Sequence, residues 1–158
     1  MTTGIFRTYY DPQEQCRVKE SAFVVNDVYE GPYMRFFNDG RKNLLCNYIH
    51  GKLEGHYIEW YYGGTVKEEC YYVNHRKHGL RKCYYNDGYY RGTTIMLECD
   101  YVDGQLHGQR KEYYIDGVLK KESTYVMDKK HGLEIVHHPH TNSVSRFEYR
   151  NDEFYRVL

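Results

Sequence analysis

Glycine and aromatic residues divide the chain into units of a common length. Gly31, Gly55 and Gly79 are spaced by 24 residues, Gly108 follows after 29, and Gly132 after another 24. Each unit continues with an aromatic pair, a second glycine and a tyrosine. Self-similarity at a fixed period predicts a tandem repeat. We expect one array over residues 1–158, with repeats starting near residues 4, 31, 55, 79, 108 and 132.

The apolar positions of the repeat are the aromatic pair and the later tyrosine. The pair lies five and six residues after the first glycine, and the second glycine lies nine residues after it. The first rings are Tyr9, Phe36, Trp60, Tyr84 and Tyr113, and the second rings are Tyr10, Phe37, Tyr61, Tyr85 and Tyr114. The second glycines are Gly40, Gly64, Gly88 and Gly117, and the later tyrosines are Tyr48, Tyr72, Tyr101 and Tyr125.

Each unit is predicted to be strand, turn, strand, turn. Asn38-Asp39-Gly40 and its counterparts at residues 86–88 and 116–117 are hairpin turns, because glycine supplies a positive φ. Residues 51–55 and 103–108 are predicted turns on the opposite edge. The predicted fold is all-β: an elongated, single-layer, twisted antiparallel sheet of about twelve strands. The two rings of each pair are expected on opposite faces, where they form the repeat core.

Composition supports strands and argues against several classes of function. The chain has 20 tyrosines and a single alanine, Ala22, and tyrosine prefers strands whereas alanine prefers helices. The 22 basic residues balance the 22 acidic ones, so we expect no nucleic-acid partner. No apolar run approaches the ~20 residues that span a bilayer, and no apolar signal segment follows Met1. We therefore expect an intracellular, cytoplasmic protein.

The cysteines are predicted to be free thiols. Their number, five, is odd, no pair has CxxC spacing, and this usage is typical of a reducing compartment. Cys46, Cys70 and Cys99 each lie two residues before a repeat tyrosine, where other units have Ala22 or Ser123. Equivalent strands lie roughly 9.6 Å apart, too far for a disulfide. We expect a column of small side chains packed beneath a ring.

The repeat resembles a known family. The stretch YVNHRKHG at residues 72–79, followed by YYNDG at 84–88, is similar to a MORN (membrane occupation and recognition nexus) repeat, as are residues 103–108 and 125–132. The common form has a second glycine two residues after the His-Gly step, where this chain has other residues. The chain therefore resembles the 24-residue form of giant-virus proteins and bacterial antitoxin-like proteins. The resemblance implies a scaffold, a dimerisation module or a lipid-binding module.

Two His-containing segments are candidate binding sites. Residues 137–140 read HHPH, so His138 and His140 are candidate metal ligands, but the segment itself contains no Cys, Asp or Glu and we expect no metal and no cofactor. Residues 75–78, 105–107 and 128–131 form a mildly basic, His-rich ridge along one edge. Such a ridge is able to meet anionic lipid headgroups, although a solvated edge that prevents strand aggregation is the favoured interpretation.

No catalytic motif is present in the sequence, and we expect no enzyme and no catalytic residue. A single layer cannot bury both aromatic faces against itself, so the leading hypothesis is a scaffold or protein-interaction module with an unidentified protein partner. The alternatives are a peripheral membrane adaptor, and an antitoxin-like or virus-encoded modulator of a host protein.

Self-association is predicted at the C-terminal end of the array. A terminal strand presents unpaired N–H and C=O groups, and a twofold pair is the commonest closed solution. The last copy has lost its aromatic pair and its turn glycine and ends on an apolar segment. The expected homodimer contacts are Phe147, Tyr149, Phe154, Tyr155 and Leu158. The alternative is a monomer in which this tail folds back over its own last hairpin.

Overall fold

The described part of the protein consists of strands and the turns between them. The structure is a computed structural model that describes residues 2–13, 15–86 and 94–158. No helix occurs in these ranges. The strands are antiparallel and follow one another in chain order, as successive hairpins of an open sheet. The predicted all-β, antiparallel hairpin fold is confirmed.

The chain divides into two compact units, Met1–Arg76 and Lys77–Leu158. The strands of the first unit are β1 (Gly4–Tyr9), β2 (Val18–Val25), β3 (Val28–Phe36), β4 (Lys42–Ile49), β5 (Lys52–Leu53), β6 (Gly55–Trp60) and β7 (Val66–Val73). The two-residue strand β8 (Arg76–Lys77) lies at the division. The strands of the second unit are β9 (Gly79–Tyr84), β10 (Ile95–Val102), β11 (Gln105–Tyr113), β12 (Leu119–Val126), β13 (Lys129–His138), β14 (Ser143–Arg150) and β15 (Glu153–Val157).

The expected number of about twelve strands is too low for the described residues, which form fifteen. Twelve of them are the two long strands of six hairpins, and β15 follows the last hairpin. The other two, β5 and β8, are short because Gly55 and Gly79 follow them closely with φ of +89° and +76°, a conformation that interrupts a strand. The repeat pattern identified these glycines, but it did not predict the bulges that they produce.

The turns after the first rings are three-residue hairpin loops with a glycine bulge. The N–H of Gly40 donates to the carbonyl oxygen of Phe37 at 2.9 Å, and the N–H of Phe37 donates to that of Arg41 at 2.8 Å. Gly40, Gly64 and Gly117 have φ between +84° and +89°, which confirms their predicted role. The corresponding Gly88 lies outside the described residues.

The second ring of each pair belongs to these turns and not to the strands. β3, β6 and β11 end at the first ring, so Phe37, Tyr61 and Tyr114 lie one residue beyond the last strand residue. The placement of the two rings on opposite faces stays a prediction. A register shift at Phe36, Trp60 and Tyr113 ends the regular pairing before the second ring.

The turns on the opposite edge are shorter than predicted. They are two-residue turns whose central residues both have positive φ, a geometry called type I′. In place of the predicted turns at residues 51–55 and 103–108 the structure has His50-Gly51 and Asp103-Gly104, and the next strands begin directly after them, at Lys52 and Gln105. Four further turns of this kind are Asn26-Asp27, Asn74-His75, Met127-Asp128 and Asn151-Asp152.

The most buried positions of the first unit alternate between small residues and a ring on one face. Tyr33 is opposite Ala22 on one side and Cys46 on the other. All three are buried, and the rings of Tyr29 and Tyr48 lie 5.6 and 5.8 Å from the Tyr33 ring. Burial raises the pKa of the Cys46 thiol to about 11. Cys46, Cys70 and Cys99 are free and buried, as predicted.

Charged groups replace the ring on the corresponding face of the second unit. Arg110 and Glu134 are opposite Ser123. In the first unit, Ala22 holds the position that corresponds to Ser123, and Tyr33 is opposite it. The hydroxyl of Ser123 donates to Glu134 Oε2 at 2.9 Å, and Lys130 Nζ lies 2.6 Å from the same oxygen. Burial alone raises the pKa of Glu134, but these two hydrogen bonds outweigh burial and hold the pKa below its usual value.

Candidate functional site

The type I′ turns join each repeat to the preceding one through a contact that recurs six times. In five of them the N–H of the second turn residue donates to the carbonyl oxygen of the residue two positions after the preceding turn; in the first, which no described turn precedes, the acceptor is Thr2. The pairs are Asp27 to Thr2, Gly51 to Tyr29, His75 to Leu53, Gly104 to Lys77, Asp128 to Leu106 and Asp152 to Lys130, at 2.8–3.2 Å. We call this the turn contact.

In four of the six turn contacts a side chain adds a second hydrogen bond. The N–H of Leu106 donates to Asp128 Oδ1, and that of Lys130 donates to Asp152 Oδ1, both at 2.7 Å. The N–H groups of Thr2 and Leu53 donate to Asp27 Oδ1 and His75 Nδ1 at 3.2 Å. A carboxylate that accepts a backbone N–H makes a charge-assisted bond, which is stronger than a neutral one. These side chains therefore fix one repeat on the next.

The strand β15 has a neighbouring strand on one side only within the described residues. Leu158 donates its N–H to the carbonyl oxygen of Arg146, and Val157 is opposite Phe147. In an antiparallel pair, consecutive residues direct their backbone groups alternately toward and away from the neighbouring strand. The N–H and C=O of Val157 therefore point outward from β14. We call the outer side of β15, with its side chains, the C-terminal edge.

The C-terminal edge is the most exposed apolar segment of the second unit. Val157 is 65% exposed, Phe154 57%, Leu158 56% and Tyr155 50%. Every residue of β15 is exposed, whereas the other long strands of this unit contain buried or half-buried residues. Contiguous exposed apolar residues on a sheet edge are typical of a protein-interaction surface.

Aromatic and guanidinium groups shape this edge. The Phe154 ring lies 6.1 Å from the Tyr149 ring and 6.5 Å from the Phe147 ring. The guanidinium carbon of Arg150 lies 3.7 Å from the centre of the Tyr155 ring, and that of Arg156 lies 5.5 Å from it. Cation–π contacts of this kind hold the tyrosine ring in place.

Glu148 connects the two arginines. Arg156 Nε donates to Glu148 Oε2 at 2.6 Å, and Arg150 Nη2 lies 3.6 Å from Glu148 Oε1. Glu148 and Arg156 are directly opposite each other on β14 and β15. The arginines are therefore partly neutralised, and the edge is more apolar than its two arginines suggest.

The structure brings together the five residues predicted for self-association, in β14, in β15 and just after β15. Phe147 and Tyr149 are half-buried beneath Phe154, while Phe154, Tyr155 and Leu158 are exposed. Sequence reasoning missed Arg150, Arg156 and Val157. The alternating side chains of EFYRVL, residues 153–158, indicated Val157 as an edge residue. The stacking of the arginines on Tyr155 depends on which residues of β14 and β15 are opposite each other, and the sequence of one strand does not give this.

The predicted ring positions hold the repeats together without forming a fully buried core. The first rings and the later tyrosines are half-buried. The hydroxyl of Tyr10 donates to the carbonyl oxygen of Phe36 at 2.7 Å. The hydroxyl of Tyr85 donates to the carbonyl oxygen of Tyr113 at the same distance. Each bond joins a second ring to the first ring of the next repeat.

The chemistry at Tyr113 favours a structural role. Its hydroxyl donates to Glu98 Oε2 at 2.9 Å. Burial and this neighbouring carboxylate raise the pKa of Tyr113 to about 12, so the hydroxyl keeps its proton at neutral pH. A protonated hydroxyl bonded to a carboxylate is a donor and not an activated nucleophile.

The two His-containing segments make contacts within the chain. His138 Nε2 lies 2.9 Å from Ser145 Oγ, and no group of three His, Cys, Asp or Glu suited to a metal occurs in residues 2–13, 15–86 and 94–158. On the predicted ridge, Lys77 lies over the Tyr101 ring, and Asp128 accepts a backbone N–H. In this part of the ridge the cations and acidic groups are engaged in contacts within the repeat array.

No helix of the described segments is long and apolar enough to cross a membrane. No protein-family model matches the chain, and no curated protein matches it.

Proposed function

We propose that the protein is a non-enzymatic scaffold that binds protein partners through its C-terminal edge. One observation carries this proposal: β15 has a neighbour on one side only among the described strands, and all of its residues are exposed. A strand of this kind adds another strand through main-chain hydrogen bonds, while its side chains select the partner. The resemblance of the repeat to MORN arrays supports the same role.

We further propose that the protein works in a reducing, intracellular compartment. The five cysteines are free, and four of them are buried. Buried free thiols are typical of proteins that do not pass through an oxidising compartment.

A second copy of the chain is the first partner to test. Light scattering on a size-exclusion column measures the mass as the concentration rises. We expect a mass above the monomer's 19.1 kDa at several hundred micromolar. Deleting residues 153–158 is expected to abolish the association.

A charged edge residue gives a sharper version of this test. Val157→Lys places a charge on the edge strand, which opposes strand addition. Leu133→Lys is the matched control, because Leu133 is also exposed but lies on β13, between β12 and β14. We expect Val157→Lys to reduce association and Leu133→Lys to leave it unchanged. Equal effects of the two substitutions would count against the C-terminal edge.

A further inference from the structure

The C-terminal edge repeats the geometry of the turn contact. In the turn contact, the acceptor residue is opposite the repeat tyrosine on the preceding strand: Leu53 is opposite Tyr48, Leu106 opposite Tyr101, and Lys130 opposite Tyr125. Phe154 is opposite Tyr149 in the same way. Phe154 also lies two residues after the second residue of its turn, Asp152, as Lys130 lies two residues after Asp128. It therefore occupies the acceptor position of the last repeat.

The backbone groups of Phe154 point away from β14. Arg150 and Glu153 close the two-residue turn as a directly opposed pair, so the next pair, Tyr149 and Phe154, directs its N–H and C=O groups outward. Lys130 holds the same position in the preceding repeat, and its outward backbone groups are hydrogen-bonded. Its N–H donates to Asp152 Oδ1 at 2.7 Å, and its carbonyl oxygen accepts the N–H of Asp152 at 2.9 Å. Within residues 94–158, no later turn stands beside Phe154 as the Asp152 turn stands beside Lys130.

We infer that the C-terminal edge recognises a partner segment consisting of an extended strand that ends in a type I′ turn with aspartate as its second residue. The aspartate carboxylate accepts the N–H of Phe154, and the N–H of the aspartate donates to the carbonyl oxygen of Phe154. The preceding strand of the partner lies along β15 and meets the outward backbone groups of Val157. This inference rests on the proposed function and names the chemistry of the partner for the same edge.

The charges of the edge agree with an acidic partner residue. Arg150 and Arg156 are each more than half exposed beside Tyr155. Glu148 accepts a hydrogen bond from Arg156 and forms an ion pair with Arg150, while the carboxylate of Asp152 accepts the N–H of Lys130. An incoming carboxylate therefore approaches an edge whose two guanidinium groups are only partly neutralised, and at Phe154 it meets a backbone donor suited to a charge-assisted hydrogen bond.

A second copy of β15 fits the position beside Phe154 less well than a strand that ends in a turn with aspartate as its second residue. β15 begins at Glu153, directly after its own turn, and its five residues include no aspartate. The strands that end in a type I′ turn with aspartate as its second residue are β2, β12 and β14, and each is already paired on both sides. Partner recognition and twofold pairing are therefore distinguishable alternatives.

A hairpin peptide tests the inference with the full 158-residue chain. The probe is a synthetic, dye-labelled peptide of residues 119–138, which contains β12, the Met127-Asp128 turn and β13. Its binding is measured by fluorescence anisotropy. We expect the Asp128→Ala peptide to bind about fivefold more weakly or worse, because a carboxylate–amide hydrogen bond is lost. The Asp128→Asn peptide keeps an acceptor oxygen and is expected to bind nearly as well as the unchanged peptide.

Matched variants of the protein locate the contact. Phe154→Pro removes the backbone N–H, whereas Phe154→Ala removes the ring and keeps the N–H. We expect Phe154→Pro to weaken binding of the unchanged peptide more than Phe154→Ala does. Combining Phe154→Pro with the Asp128→Ala peptide is expected to cause no further loss, because the two changes break the same bond. Circular dichroism verifies that each protein variant is folded.

The outcomes separate this inference from the proposed function. Equal binding of the unchanged and Asp128→Ala peptides overturns the inference and leaves the C-terminal edge as a binding surface. Absence of peptide binding, together with self-association that depends on Val157, also overturns it and assigns the edge to a second copy. Absence of both overturns the inference and the proposed function together.

Discussion

Single side chains join neighbouring repeats at the residue scale. Asp128 adopts φ +67°, its N–H donates to the carbonyl oxygen of Leu106, and its carboxylate accepts the N–H of the same residue. Few side chains meet both requirements, since aspartate and asparagine tolerate positive φ and also carry an acceptor oxygen. This explains why aspartate is the second turn residue in three of the six type I′ turns.

Substitution of Asp128 tests this double role. Asp128→Ala removes the acceptor for the Leu106 N–H and places alanine at positive φ, so we expect the free energy of unfolding to fall by about 1–2 kcal/mol. Asp128→Asn keeps an acceptor oxygen and tolerates a positive φ. We expect it to lower the free energy of unfolding by less than half as much as Asp128→Ala. Urea denaturation measures both variants. An equal loss for both would show that the acceptor oxygen contributes little.

The tyrosine hydroxyls at the other edge act in a similar way. Tyr85→Phe removes the hydrogen bond to the carbonyl oxygen of Tyr113 and keeps the ring. We expect a loss of about 1 kcal/mol in the free energy of unfolding, the usual net worth of a hydrogen bond. Tyr114→Phe is the control, because the Tyr114 hydroxyl donates no hydrogen bond to the described residues. A thermal midpoint lowered only in Tyr85→Phe is the expected result.

At the scale of one element, the hairpin loops depend on a single glycine each. Gly63 and Gly64 are neighbours in one loop, and a Cβ atom at either position meets no atom within 4 Å. Only Gly64 has a positive φ, of +89°. The two positions therefore separate conformational strain from steric contact.

Alanine substitution of these neighbours measures the strain directly. Gly64→Ala is expected to lower the free energy of unfolding by about 1–2 kcal/mol, the cost of a left-handed conformation for a residue with a Cβ atom. Gly63→Ala is expected to be neutral or slightly stabilising, because it reduces the entropy of the unfolded chain. The comparison uses urea midpoints at constant m-value. A reversed order would contradict the assigned loop geometry.

Strand pairing also sets the response to alkaline pH. Burial raises the pKa of Tyr57 and of Tyr113 to about 12, from a usual value of 10. The folded state therefore keeps protons that the unfolded state releases between pH 10 and 12. Stability due to these groups is complete below pH 10 and is lost as the pH rises toward 12.

Unfolding at pH 9 and pH 11 tests the sign of this linkage. We expect a lower urea midpoint at pH 11, with a smaller decrease in Tyr57→Phe and in Tyr113→Phe than in the unchanged chain. Phenolate absorbance follows the titration itself. A midpoint that is constant between the two pH values would argue that these hydroxyls titrate normally in the folded state.

Much of each element was predictable, because glycines and aromatic residues have strong local preferences. Gly40 and Gly117 marked their turns, and the spacing of Cys46 and Cys70 indicated a buried column. The sequence did not reveal that strands end at the first ring of each pair. That boundary comes from a register shift between paired strands, which depends on hydrogen bonding and not on the pattern of one strand.

At the scale of the whole molecule, repetition made the fold predictable and the site less so. The six turn contacts depend on positions that recur, so the hairpin succession followed from the spacing alone. The C-terminal edge departs from the repeat, because Arg156 occupies the position at which earlier repeats have a glycine, such as Gly31 and Gly132. The pattern located that departure, but the contacts of Arg150 and Arg156 with Tyr155 required coordinates.

The scarcity of buried apolar side chains has a calorimetric consequence. The buried hydrophobic residues of the described segments number eight, and four of them are cysteines. Exposure of apolar surface is the source of the positive heat-capacity change on unfolding. We expect this change to be below the usual ~12–15 cal/mol/K per residue, which gives a broad, flat stability curve with weak cold destabilisation. Differential scanning calorimetry at several pH values measures it, and a value in the usual range would indicate that far more apolar surface is buried in solution.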